Sequence, residues 1–318
     1  MIERPEQLVT IFGGGGFIGR YVCELLLKSG VRVRVASRNP RSAHFLQTLG
    51  QVGRLGFVRA DIANPASVAR AVDGASAVIN LPGVLKGRFH AVHVSGAGHV
   101  AQAAREAGAN ALVHISAIGA DPHAQAEYGR SKGEGEAAVR AAFPAATIVR
   151  PSLVFGPEDQ LTNRFAALGW LPVLPVIAPA TRFQPVYVRD LAQAIALATL
   201  DPRAFAGETY EIGGPQVMTM HELNQAVLDA SGQDPDLIDL PDFAGSLLSR
   251  FGFLPGAPLT RDQWLMLQSD NLPAKGAHGL EAFGIKPTPL AAVAAEWLGR
   301  FDQAARFRGR RVNLTAAS

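Results

Sequence analysis

The chain has 318 residues, 48% hydrophobic and 18% charged, with a net charge of +3 and one cysteine. That composition supplies core for one large domain or two modest ones and excludes a disordered chain. The first 60 residues carry nine Lys/Arg against three Asp/Glu, and residues 300–318 carry five Arg against Asp302. A basic region with no stripe of interleaved aromatics suits a polyanionic cofactor and argues against nucleic acid.

Short β-rich runs alternate with segments of helical period. Leu8–Phe12 reads as a strand, Phe17–Lys28 as a helix ending at Gly30, Val31–Ala36 as the second strand and Asn39–Leu49 as a helix. Phe57–Ala60 and Ala77–Leu81 follow as strands, separated by a short helix signalled by Asn64-Pro65. His90–Ala107 reads as one long helix closed by Gly108, then come a strand at Leu112–Ser116, a helix at Gln125–Ala142 and a strand at Thr147–Arg150. Such alternation predicts an α/β fold, a doubly wound parallel Rossmann sheet covered on both faces. After Pro151 the rhythm breaks. Only Pro185–Val188 and Thr209–Ile212 read as strands, with helices at His221–Ala230, Asp262–Gln268 and Leu290–Phe301. The expected organisation is a Rossmann core over 1–151, completed by 183–214, and a smaller, mainly helical lobe over 152–182 and 215–318 that meets substrate or partner.

The glycine loop carries the first functional signal. Gly13-Gly14-Gly15-Gly16-Phe17-Ile18-Gly19 fits G-x-x-G-x-x-G, placed after a strand and opening a helix. Glycines there allow the tight turn and let backbone N–H groups meet a pyrophosphate at the positive end of the helix dipole. Gly13, Gly15, Gly16, Phe17, Ile18 and Gly19 are therefore the expected phosphate contacts. The second strand ends in Ala36-Ser37-Arg38-Asn39, with no acid to hold a ribose 2′-OH or to repel a 2′-phosphate. Ser37 and Arg38 can donate to such a phosphate, so the expected cofactor is NADP(H). Asp61 and Ile62, just past the third strand, and Leu81, closing the fourth, are expected to border the nucleotide.

Tyr128 and Lys132 are four residues apart, on one face of a helix. An ammonium beside a phenol draws the phenol pKa from ~10 towards neutrality, which would fit Tyr128 for proton transfer with Lys132 on the nicotinamide ribose. With the glycine loop, Arg150–Pro157, Gln184–Asp190 and Glu211-Ile212-Gly213-Gly214, this pair resembles the extended and atypical short-chain dehydrogenase/reductase superfamily over nearly the whole chain. The resemblance implies that Pro151 and Val154 lie near the nicotinamide. Two departures stand out. Many catalytic members read Asn-Val-x-Gly-Thr where this chain has His93-Val94-Ser95-Gly96-Ala97, and the hydroxyl pair ending the fifth strand is here Ser116-Ala117. Ser116 is left to substitute for the missing hydroxyl.

The segments Pro258–Trp264, Gln268–Asn271 and Phe283–Thr288 are similar to the NADP(H)-binding accessory subunit of respiratory complex I. That family implies a non-catalytic or weakly catalytic accessory or assembly role, with other complex I subunits as partners. The alternative is an NADPH-dependent reductase, epimerase or dehydratase using Tyr128 and Lys132.

His90 and His93 share a helical face, but no metal-binding motif accompanies them, and no metal is expected. Cys23 reads as a buried inert thiol and His114 as a core histidine. The apolar run Leu168–Ala180 is read as a pocket wall, a protein interface or a membrane-adjacent patch. The basic tail, Arg300 to Arg311, is read as lying on an acidic partner or anionic lipid, or as solvated. The N-terminus lacks an apolar core of signal-peptide type, no apolar run spans a bilayer and the lone cysteine suits a reducing compartment. The expected location is cytoplasmic, peripheral to the respiratory membrane where it docks.

Overall fold

The arrangement comes from a computed structural model, in which residues 7–50, 52–250 and 259–302 are described. Pro258 and Arg306, Arg308, Arg310 and Arg311 of the tail lie outside the described residues. Contacts divide the chain into two units. One comprises Met1–Ser152, Val188–Gly213 and Pro273–Lys286; the other comprises Leu153–Tyr187, Gly214–Leu272 and Pro287–Ser318.

The first unit is built on strands β1 (Leu8–Phe12), β2 (Arg32–Ser37), β3 (Leu55–Arg59), β4 (Ala77–Asn80), β5 (Ala111–Ile115) and β6 (Thr147–Pro151). A seventh strand, Thr209–Ile212, pairs with β6, so the order from that edge is Thr209–Ile212, β6, β5, β4, β1, β2, β3. Every pairing in this sheet is parallel. The chain winds outward from β1 to β3 and then crosses back to β4, with Ile11 of β1 in register with both Val35 and Ile79. That reversal opens a crevice at the carboxyl ends of β1 and β4, where ligands of such sheets sit.

Residue type explains the layering. All residues of β4 and β5 are buried, because helices cover both faces, and so these strands read as mainly apolar runs without alternation, with only Asn80 and His114 polar. Helices α1 (Phe17–Lys28), α2 (Pro65–Val72), α3 (Ala97–Glu106) and α4 (Glu127–Ala142) provide the cover with helix Val188–Leu200. Helix α2 starts with proline at N1, and the Asn64 side chain accepts from the Ser67 N–H. Buried Ala97, Ala101 and Ala104 lie on α3 in the core cluster with Phe12, Val68, Leu112 and Val139, where small side chains permit close packing. On the opposite face α1 packs against Val188–Leu200.

Several elements differ from the sequence expectation. Helix Val188–Leu200 went unread because burial embraces nine of its thirteen residues, leaving too little polar face for a periodic signal. Asn39–Leu49 forms a 3₁₀ helix, Pro40–Leu49, in place of an α-helix. The long helix at His90–Ala107 is really a π-helical stretch, His90–Gly96, followed by α3. Residues 273–286 belong to the first unit and 183–187 to the second. The physical ties are local: Glu211 N–H donates to the His278 carbonyl, and Phe283 stacks on Phe205 at 4.6 Å.

The second unit contains helices Leu161–Leu168, Met220–Ser231, Asp242–Arg250 and Arg261–Met266. Three two-stranded pairs accompany them: Val154–Phe155 with Val186–Tyr187, Arg182–Phe183 with Met218–Thr219, and Val173–Val176 with Asp236–Asp239. Strands this short carry almost no periodic signal. The expected helix Leu290–Phe301 is broken into turns Leu290–Val293, Ala295–Leu298 and Gly299–Phe301. Phe155, Tyr187 and Trp297 stack with ring centroids 5.5 to 6.5 Å apart. The apolar run Leu168–Ala180 contains the strand Val173–Val176, which buries Leu174 and Val176 and exposes Val173 and Pro175.

Candidate nucleotide and reaction site

The turn from β1 into α1 is tightly constrained by its backbone contacts. Gly13 has a φ of +79°, donates to the Ala36 carbonyl at 3.2 Å and accepts from Gly16 N–H at 2.9 Å. A Cβ on Gly19 would lie 2.6 Å from Gly14 Cα, so only glycine lets the helix begin this close to the strand. Gly16 caps α1 with no side-chain hydrogen bond, and no acid occupies the first turn. The first-turn N–H groups therefore have no carboxylate or hydroxyl in place of a ligand's anion.

A cavity of about 400 Å³ lies at this turn. Gly13, Gly16, Phe17, Ile18, Gly19, Ser37, Arg38, Asp61, Ile62 and Leu81 line it, as do Pro82, Gly83, Val84 and Val92, which the sequence reading missed. Gly15 is not part of the lining; it faces the 3₁₀ helix, where a Cβ would come within 2.8 Å of Ala43 Cβ. The Ser37 Oγ is buried without a hydrogen-bond partner. A second hollow of about 500 Å³ shares Arg38 and Asp61 with the first and adds Arg59 and Arg70. Three exposed guanidinium groups thus converge beyond the ends of β2 and β3. Arg59 and Arg70 escaped sequence reading because each resembles an ordinary surface arginine until the sheet brings it beside Arg38.

Tyr128 and Lys132 lie on α4, beneath the Gly83–Val84 turn. A Cβ on Gly83 would meet Lys132 Nζ at 3.5 Å and His93 Nε2 at 3.8 Å. Lys132 is buried and donates to the Ile115 carbonyl at 3.0 Å, with its Nζ 5.9 Å from the Tyr128 ring centroid. Burial pushes Lys132 down to about 8, opposed by the Glu136 carboxylate, and pushes Tyr128 up to about 12. The direction for Tyr128 is opposite to the lowering expected from a neighbouring ammonium, and its cause is desolvation of the phenolate.

His93 connects these groups. Its Nε2 accepts from Val84 N–H at 3.0 Å, so its Nδ1 carries the proton and donates to Ser131 Oγ at 2.9 Å. Ser131 in turn donates to the Tyr128 carbonyl. Burial first, and the Lys132 charge second, hold His93 neutral, with a pKa near 3. The π-helical stretch carries His93 against α4, where a Cβ on Gly135 would collide with the His93 carbonyl.

Other singled-out residues fall as follows. Ser116 is buried, with an Oγ that has no partner. Pro151 closes β6 and accepts from Ile118 N–H, whereas Val154 lies in the second unit. His114 is buried within 3.0 Å of Asn80 Nδ2 and is held near a pKa of 3 by burial. Cys23 is buried behind the glycine loop, its thiol pushed up to about 12. Among the described residues no His, Cys, Asp or Glu group could hold a metal ion, and no helix is long and apolar enough to cross a membrane.

A doubly wound parallel sheet with a glycine turn after β1 and a Tyr-x-x-x-Lys helix after β5 defines an epimerase-like Rossmann protein of the short-chain dehydrogenase type. Residues 9–213 match the NAD dependent epimerase/dehydratase family, and the chain belongs to that family. Among its relatives is the mitochondrial NADH dehydrogenase [ubiquinone] 1 alpha subcomplex subunit 9 of Rattus norvegicus, 34% identical over 92% of this chain and 80% of that protein. The protein of the same name in Dictyostelium discoideum is 30% identical over 89% and 82%. A ceramide reductase of Caulobacter vibrioides is 32% identical over 81% of this chain and 82% of its own. In fold the chain is similar to an Escherichia coli NADPH-dependent quinone oxidoreductase complexed with NADPH, with a TM-score of 0.73, 20% identity and coverage of 91% and 99%. It is also similar to the Thermus thermophilus UDP-glucose 4-epimerase in complex with NAD, with a TM-score of 0.67, 22% identity and coverage of 94% and 100%.

Proposed function

We propose that this chain holds NADP(H) in its first unit and serves as an accessory subunit of respiratory NADH:ubiquinone oxidoreductase, with little or no turnover of its own. The observation that carries the second half is the reaction site. Ala117 stands where a hydroxyl is expected, His93 is a neutral, doubly engaged group where a relay asparagine is expected, and Tyr128 has a raised pKa. Identity to the complex I subunits over most of both chains supports the same reading.

The cavity fits the nucleotide on its own geometry. The cavity lies at the glycine turn, the unpartnered Ser37 Oγ awaits a hydrogen bond, and the residues that follow β2 include Arg38 and no acid. The residues holding the diphosphate are Gly13, Gly16, Phe17, Ile18 and Gly19; those holding the adenosine end are Ser37, Arg38, Asp61 and Ile62, with Arg59 and Arg70 adding charge. Bound NADP(H) supplies hydride chemistry; Tyr128 and Lys132 position the ribose end and, with Ser116, are the groups able to move a proton. A nucleotide at 100 times its dissociation constant stabilises the fold by about 2.7 kcal/mol, which suits a structural ligand.

Native purification is the test. Co-migration with the respiratory complex, NADPH released on denaturation and no NADPH oxidation are expected. A free enzyme that oxidises NADPH with a carbonyl substrate overturns the proposal and favours the reductase reading, for which identity to the ceramide reductase speaks. Arg38→Asp is expected to weaken NADPH binding at least about tenfold while sparing NADH. Unchanged NADPH affinity refutes the cofactor assignment.

A further inference from the structure

Helix Asp242–Arg250 is inside out. It buries Gly245 and Ser249 and exposes Phe243 and Leu247, at 75% and 53%. A Cβ on Gly245 would strike the Trp264 ring, so the small-residue face is fixed inward and cannot rotate to bury the large side chains. A helix that serves only its own core does the opposite. The strand that precedes it continues the pattern. Ile238 pairs in register with Pro175, and both are exposed on the same face as Val173. Exposed apolar side chains therefore stand on the helix and on the two-stranded sheet that precedes it in the chain, both in the second unit.

The surrounding charge selects the occupant. Along residues 236–250 the exposed charges are Asp236, Asp239 and Asp242 against a single base, Arg250, at the end of the helix. Asp236 shares the face of Ile238 and Asp242 opens the helix, both exposed, whereas Asp239 alternates to the other face and pairs with His221 at 2.7 Å. An acidic rim repels anionic lipid, and a twofold contact with the same face of a second copy would set carboxylates against carboxylates. We infer that this face docks onto a protein surface with an apolar centre and a Lys/Arg rim. The inference rests on the accessory-subunit reading, with Phe243 and Leu247 as the anchors and the aspartates setting orientation and rate of encounter.

The test uses full-length protein and NADH:ubiquinone oxidoreductase purified from the same organism with this chain deleted. Wild type is expected to bind with an affinity that falls as NaCl is raised. F243S/L247S is expected to weaken binding at least about tenfold, and D236K/D242K is expected to weaken it at low salt. Both variants alter only exposed side chains, and unchanged melting and NADPH binding verify the fold. Variants that bind as wild type does overturn the inference and leave the accessory reading intact. Failure of wild type to bind the complex overturns both. Sedimentation of wild type, but not F243S/L247S, with phosphatidylglycerol–cardiolipin vesicles assigns the face to a membrane and overturns the inference. A wild-type dimer that F243S/L247S dissociates assigns it to a second copy and does the same.

Discussion

Lowering the pH from 7 to 5 perturbs two histidines that the fold keeps neutral. His93 and His114 each drop from an ordinary 6.5 to about 3, both through burial first and the Lys132 charge second. Between those values the unfolded chain takes up a proton that the native state refuses, so stability is full above about 6.5 and is lost as pH falls. Each group loses about 1.4 kcal/mol per pH unit, hence about 2 kcal/mol at pH 5 and about 4 kcal/mol for the pair. That is a large part of the 5–15 kcal/mol typical of a domain. Lys132, lowered to about 8, is charged in both states throughout this window and does not offset the loss. Urea unfolding followed by tryptophan fluorescence at pH 7, 6 and 5 measures the effect. His93→Gln and His114→Gln, compared by pH slope and not by absolute stability, should each remove about half of it. A wild-type difference below about 1 kcal/mol, or a slope indifferent to both substitutions, refutes the claim that these imidazoles are held neutral by burial.

Two other substitutions probe the frame and the turn. Gly19→Ala places a methyl against Gly14, so it should abolish NADPH binding by fluorescence titration and lower the melting temperature, whereas Gly74→Ala, with open space around it but a φ of +68°, should cost only about 1 kcal/mol and spare binding. Arg150 forks onto Glu136 at 2.6 and 2.8 Å and reaches Glu211 at 3.1 Å. Because Arg150 is a quarter exposed, Arg150→Met should cost about 3 kcal/mol at pH 7 in denaturant unfolding, towards the low end for stranded buried carboxylates. Adding Glu136→Gln to Arg150→Met should recover part of that cost; a cost that it does not relieve would point to lost packing instead.

Much of the first unit is legible in the chain because local and global signals agree there. The glycine spacing requires a strand before it and a helix after it, and the apolar runs of β1, β4 and β5 are the signature of strands buried on both faces. Where burial removes the polar face, as in Val188–Leu200, the helical period vanishes and the element is missed. Ser37, Arg38 and Asp61 could be placed because strand ends in a parallel sheet converge on one edge. Arg59 and Arg70 could not, since their meeting with Arg38 depends on the β2–β3 pairing and on how α2 returns.

By itself the sequence determined the Rossmann frame, the glycine turn, the absence of an acid after β2 and the alanine in place of a hydroxyl at 117. Each is a matter of residue identity at a fixed position along the chain. Tertiary structure alone decided the protonation of the site and the inverted face of helix Asp242–Arg250. Lys132 beside Tyr128 predicts a lowered phenol on paper, but desolvation depends on everything packed around a group, and here it reverses the outcome. Whether Phe243 or Gly245 turns inward likewise depends on Trp264, nineteen residues further along, which leaves room only for glycine.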